Sequence, residues 1–140
     1  MMRVVIEPSV LIRYLIKPSA SIRCLIEEMW FNEDIVLVTS PELIAELDFV
    51  LRRSSIRKFI HVDEGKALLE AILGKAENLL LLSEIPVFTR DPKDDKFVAC
   101  AIAGQAAYVI TEDRDILALG SVGDVQMITP YEFVERHRQN

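Results

Sequence analysis

Short apolar runs, most of them rich in β-branched residues, recur along this chain: MRVVI at 2–6, IVLV at 35–38, NLLLL at 78–82, YVIT at 108–111 and VQMI at 125–128. A strand with one wet face alternates polar and apolar side chains, and these runs barely do. Near-continuous apolar strands of this length are covered on both faces, as in parallel sheets. The stretches between them read as helices. Ser9–Ile16 is apolar enough to pack, and Lys17-Pro18-Ser19 interrupts it. Ser19 or Ser21 caps the next helix, which carries Ile22, Leu25, Ile26 and Met29 on one face. Ser40-Pro41 opens a helix to about Leu51, with serine as N-cap and proline at the first helical position. Asp63 is read as the cap of a helix over 63–73, with Gly74 as its kink or stop. Asp91-Pro92 opens a helix through Ala103 that Gly104 ends, a short helix covers 113–119, and a last one covers 130–138. Strands alternating with helices predict an α/β fold with a central, mostly parallel five-stranded sheet, in a single domain over 1–140.

The segment from Thr89 to Asp115, TRDPKDDKFVACAIAGQAAYVITEDRD, adds the chemistry. It sets one group of acids before an apolar helix and a second group after an apolar strand. In open parallel sheets, sites form beyond the carboxyl ends of strands, where the strand order reverses. Glu7 ends the first strand, and Glu112, Asp113 and Asp115 follow the fourth. Glu46 lies in the helix after the second strand, at the edge of its apolar stripe, and Asp95 starts the run KFVACAIA. Carboxylates gathered in one crevice repel one another and call for a cation. A donor set of oxygens without Cys or His favours a hard ion, Mg2+ or Mn2+. Some acids have plainer uses. Asp91 and Asp94 suit a helix start, Glu42 a surface position, and Asp113 the cap of the short helix that follows it.

Net charge is −6 over 140 residues, which argues against a surface that coats phosphates. It leaves room for an enzyme that holds phosphate through metal ions, or for a partner with a basic segment. The composition, 51% hydrophobic and 27% charged, fills a core and excludes disorder. No apolar run reaches the roughly 18–20 residues of a membrane span, and MMRVVIE has no signal-peptide character, so a cytoplasmic protein is expected. Cys24 and Cys100 read as small core residues, and His61 and His137 as surface residues. The chain has no GxxxxGK[ST], GxGxxG or GxSxG, so nucleotide cradling and a serine nucleophile have no support.

Four stretches together resemble the PIN-domain family, of the kind found as the toxin half of VapC-type toxin–antitoxin pairs. They are Glu7-Pro8-Ser9, SPELIAEL at 40–47 with Glu46, RDPKDDKFVACAIA at 90–103 with Asp95, and TEDRD at 111–115 with Asp113 and Asp115. The resemblance covers nearly the full length. It implies a three-layer α/β/α domain and a Mg2+- or Mn2+-dependent ribonuclease, with Glu7, Glu46, Asp95 and Asp113 around the metal and Asp115 assisting. It also implies a homodimer and a small antitoxin protein that inhibits it. The family usually has Asp where this chain has Glu7, and the extra methylene shifts a ligand in a site sensitive to sub-ångström placement. A degenerate PIN domain that binds RNA or a protein without cutting is therefore the alternative. The basic stretch Arg52, Arg53, Arg57 and Lys58 reads either as a guide for RNA or as a solvated face. An acidic-pocket phosphatase lacks a DxDxT-like motif here and ranks below both.

Overall fold

A computed structural model of the protein describes residues 1–79 and 92–138, the side chains of 92–94 excepted. Strands β1 (Met2–Ile6), β2 (Ile35–Thr39), β3 (Glu77–Asn78), β4 (Tyr108–Ile110), β5 (Ser121–Val122) and β6 (Val125–Ile128) form one sheet in the order β3-β2-β1-β4-β6-β5. All neighbours are parallel except β5 with β6. The chain steps outward from β1 through β2 to β3, then returns to lay β4 on the other side of β1. The order therefore reverses between β1 and β4, where Ile6 pairs with Ile110.

Side chains of β1 alternate between two cores. Val4 and Ile6 join Leu37, Ile110 and Ile128 on one face. Helices α1 (Pro8–Leu15), α2 (Ala20–Arg23), α3 (Pro41–Leu51), α5 (Val62–Lys75) and α8 (Pro130–His137) cover that core, and Trp30 and Phe133 are its largest buried side chains. Helix α2 runs on into a π-helical segment, Cys24–Trp30. Val5, Val38, Val109 and Met127 point the other way, against Phe97, Val98, Cys100 and Ala101 of α6 (Pro92–Ala103) and Ile116 of α7 (Arg114–Leu117). Both faces are dry, so the strands need no polar face, and three layers result. Both cysteines are free and buried, as core residues should be.

Local structure departs from the sequence reading in a few places. The sheet has six described strands rather than five. The extra one, β5, arises from the two-residue turn Gly123-Asp124 between paired Val122 and Val125. Gly123 has φ +57°, which a glycine at the first central position of a hairpin supplies without strain. Of the run 78–82, Asn78 is in a strand, and 80–82 lie outside the described residues, as does Asp91. His61, not Asp63, caps α5. Its Nδ1 accepts from the Asp63 N–H at 3.2 Å while Glu64 accepts from the His61 N–H at 3.0 Å, a reciprocal box. Gly74 does not stop α5, which continues to Lys75. A further short helix, α4 (Ser54–Arg57), occupies the basic stretch, and the helix expected over 113–119 is shorter, at Arg114–Leu117. His137 is not a plain surface residue. Its ring packs on Phe133 at 4.8 Å between centroids, and its Nε2 lies 2.9 Å from the Tyr108 hydroxyl.

The end of α6 decides how that helix is seated. Gly104 does not adopt positive φ; Gln105 does, at +53°. Gly104 serves close approach instead: a Cβ there would meet Val38 Cγ1 at 2.5 Å and Leu79 Cδ1 at 2.7 Å. Its carbonyl accepts from Arg3 Nε at 2.7 Å, so the last turn of α6 sits beside the start of β1. The first turn of α6 must then lie toward the carboxyl ends of the strands.

Candidate active site at the carboxyl edge of the sheet

Glu7 leaves β1 at the point where the strand order reverses, and its own N–H donates to the Ile110 carbonyl at 3.0 Å. Pro8 then fixes the first helical φ of α1, and Glu7 becomes that helix's N-cap. Glu7 is only 7% exposed, yet its carboxylate is well partnered. Oε2 accepts from the Ser9 N–H at 2.8 Å. Oε1 accepts from the Ser9 hydroxyl at 2.8 Å and the Thr111 hydroxyl at 3.1 Å. Burial penalises a carboxylate, and three donors aimed at it offset that penalty.

Thr111 joins two of the acids singled out in the sequence. Fully buried one residue past β4, it donates to Glu7 and accepts from the Asp113 N–H at 3.0 Å. Asp113 in turn caps α7, its Oδ1 accepting from the N–H groups of Asp115 at 2.8 Å and Ile116 at 3.2 Å. So Asp113 is a cap as well as a strand-end acid, and its Oδ2 makes no hydrogen bond among the described residues. Asp115 is exposed. Glu112 is also exposed and pairs with Arg13 at 2.6 Å.

The other two acids lie on helices. Asp95 is 3% exposed in the first turn of α6. Glu46 is half-buried on α3 and forms an ion pair with Lys96, the residue after Asp95. Helix α6 packs on β1, β2, β4 and α3, which carries Asp95 and Lys96 to the same edge as Glu7. The fold thus links Glu7 to Asp113 through Thr111, and Glu46 to α6 through Lys96. Among the described residues no three His, Cys, Asp or Glu side chains converge closely enough to hold an ion by themselves.

The donor chemistry nevertheless fits a hard cation. Every acid at this edge offers carboxylate oxygen, the described cysteines are buried in the cores, and a carboxylate with two or three acceptor contacts keeps a lone pair for a metal. Burial pushes the Cys100 thiol up to about 12, with the nearby Glu42 charge adding to it against a hydrogen bond with Ser40. That thiol is a packed core group rather than a soft ligand. No described helix is long and apolar enough to cross a membrane.

Comparison with known proteins bears on the family of the chain. A family model for the PIN domain matches residues 3–115, a span that contains Glu7, Glu46, Asp95, Thr111 and Asp113. The chain belongs to the PIN-domain family. An uncharacterized protein from Methanocaldococcus jannaschii is 29% identical over 143 aligned positions, covering 95% of this chain and 90% of that protein. Two solved structures share the PIN fold seen here. A chain of VapBC2 from Rickettsia felis, bound to a DNA fragment from its promoter, superposes with TM-score 0.64 at 13% identity. A chain of FitAcB from Neisseria gonorrhoeae does so with TM-score 0.60 at 16% identity. Each likeness spans 91% of this chain and 98% of the other.

Within this PIN domain, sequence reasoning passed over two residues, Thr111 and Lys96. Thr111 carried a weak signal, a hydroxyl at the end of an apolar strand directly before acids. Lys96 carried none, because its partner is 50 positions away on another helix.

Proposed function

We propose that this PIN domain is a divalent-metal-dependent ribonuclease and the toxin of a toxin–antitoxin pair, working in the cytoplasm as a homodimer that a cognate antitoxin protein inhibits. One observation carries the catalytic reading: a buried Glu7 at the switch point, clamped by Ser9 and Thr111 and tied through Thr111 to Asp113. A strand-end carboxylate buried with so many donors is orientated rather than merely solvated. Glu7, Glu46, Asp95 and Asp113 are the residues that would hold Mg2+ or Mn2+, with Asp115 assisting. When bound, such an ion supplies an activated water and a counter-charge for a phosphodiester. Ser9 and Thr111 fix the Glu7 carboxylate, and Asp95 is buried in the first turn of α6. The RNA substrate, the antitoxin and the homodimer rest on the likeness to VapC-type PIN proteins.

A second reading has an observation of its own. Glu46 is occupied by Lys96 and Asp113 by the α7 N–H groups, as in a site that has settled its charges internally. Together with the longer Glu7, this favours a PIN domain that binds RNA or a protein partner without cutting. RNA cleavage in Mn2+ separates the two. Cleavage by the wild type that Asp95→Asn abolishes supports the enzyme. A wild type that is inert but gains activity on Glu7→Asp identifies the degenerate site. An inert wild type with an inert Glu7→Asp removes the nuclease reading.

A further inference from the structure

Lys96 stands just past the first turn of α6, directly after the buried Asp95, and its ammonium pairs with Glu46 across the α3–α6 junction. Both side chains are mostly withdrawn from water, at 21% and 24% exposure. Its Nζ also lies 5.7 Å from the centre of the Phe97 ring, so an apolar surface borders the pair. Charges in such a half-dry junction interact more strongly than the same pair in bulk water. A lysine is a compact point charge on a flexible stem, able to leave a carboxylate in a way that a bidentate arginine is not.

The carboxylate it holds is one that the proposed cation would need. We propose that Lys96 is a built-in competitor for that cation: its ammonium neutralises Glu46 when no divalent ion is bound and has to withdraw before Glu46 can become a ligand. Lys96 is then a positioning residue that sets how much divalent ion the site requires. The inference rests on the hard-cation reading of the previous subsection. A clamp that only pins α6 to α3 makes the opposite forecast, since losing it would loosen the site and weaken metal binding.

The test is calorimetric titration of the full chain with Mn2+, for the wild type, Lys96→Met, Lys96→Gln, Lys96→Arg and Glu46→Gln. Methionine keeps an unbranched stem over Phe97 without the charge, and glutamine covers the case in which methionine folds poorly. Removing the competitor is expected to tighten Mn2+ by about 2- to 5-fold, the range that loss of such an ion pair supplies. Lys96→Arg should bind no more tightly than the wild type, and adding Glu46→Gln to Lys96→Met should cancel the gain. Unchanged or weaker Mn2+ binding in both Lys96→Met and Lys96→Gln overturns the proposal. If the wild type still binds Mn2+ and cuts RNA in that case, only the role of Lys96 falls. If neither the wild type nor the Lys96 variants bind Mn2+, the hard-cation reading falls with it.

Discussion

Replacing Thr111 by valine tests the centre of the site with almost no change of shape. The hydroxyl is fully buried, donates to Glu7 at 3.1 Å and accepts from the Asp113 N–H at 3.0 Å. Valine fills the same space and makes neither bond. A hydrogen bond to a charged group contributes about 1.5–3 kcal/mol, and a backbone N–H left without its acceptor costs about 1 kcal/mol more where it is shielded from water. Asp113 is half-buried and Glu7 keeps both bonds from Ser9, so some water and some slack reduce the sum. The expected loss is about 2–3 kcal/mol, or about 6–12 °C in Tm for a chain of this size. Urea denaturation of the wild type, Thr111→Val, Glu7→Gln and the double variant supplies the assay. The two changes share a bond, so the double variant should fall short of the sum of the singles by about 1 kcal/mol or more. A Thr111→Val protein within about 0.5 kcal/mol of the wild type, with additive singles, would falsify the claim that this hydroxyl anchors Glu7.

Two further outcomes follow from the packing. Gly104→Ala sets two effects against each other: alanine is favoured over glycine near a helix end by up to about 1 kcal/mol, but its Cβ would overlap Val38 and Leu79. Overpacking should win, giving a net loss of about 1–2 kcal/mol on denaturation; a stabilised variant would show that α6 is not seated as described. Burial, helped by the neighbouring Arg136 charge, holds the His137 imidazole below its usual value. The unfolded chain therefore binds that proton more tightly, and the stability His137 contributes is complete above the ordinary histidine range and lost as pH falls through it toward the lower folded value. Between pH 7.5 and 5.5 the Tm of His137→Phe should decline less than that of the wild type, measured at matched ionic strength, and equal slopes would contradict the shift.

Much of this protein was legible in its residue order. Near-continuous apolar strands such as MRVVI and IVLV point to a sheet covered on both sides, and Val4 and Val5 do enter opposite cores. Ser19, Ser40 and Pro41 marked helix starts because a cap is a contact within three residues, which sequence spacing fixes. The same local logic failed at Asp63, where a histidine ring two positions earlier offered an equivalent acceptor and took the cap. It also passed over the Gly123-Asp124 hairpin, a two-residue signal too short to outweigh the helices around it.

Residue types alone nominated Glu7, Glu46, Asp95 and Asp113, since acids at strand ends and helix starts stand out against an apolar background. Only the tertiary structure decided their partners. Thr111 reaches Glu7 across 104 positions, and Lys96 reaches Glu46 across 50, because β1 and β4 are neighbours and α6 lies on α3. Gly104 ends α6 as the sequence reads it, and only in space is it also a gap left for Val38 and Leu79. Backbone preference acts over a few residues and is written in order along the chain. Which charge meets which donor is set by how whole layers stack, and that is fixed only when the chain has folded.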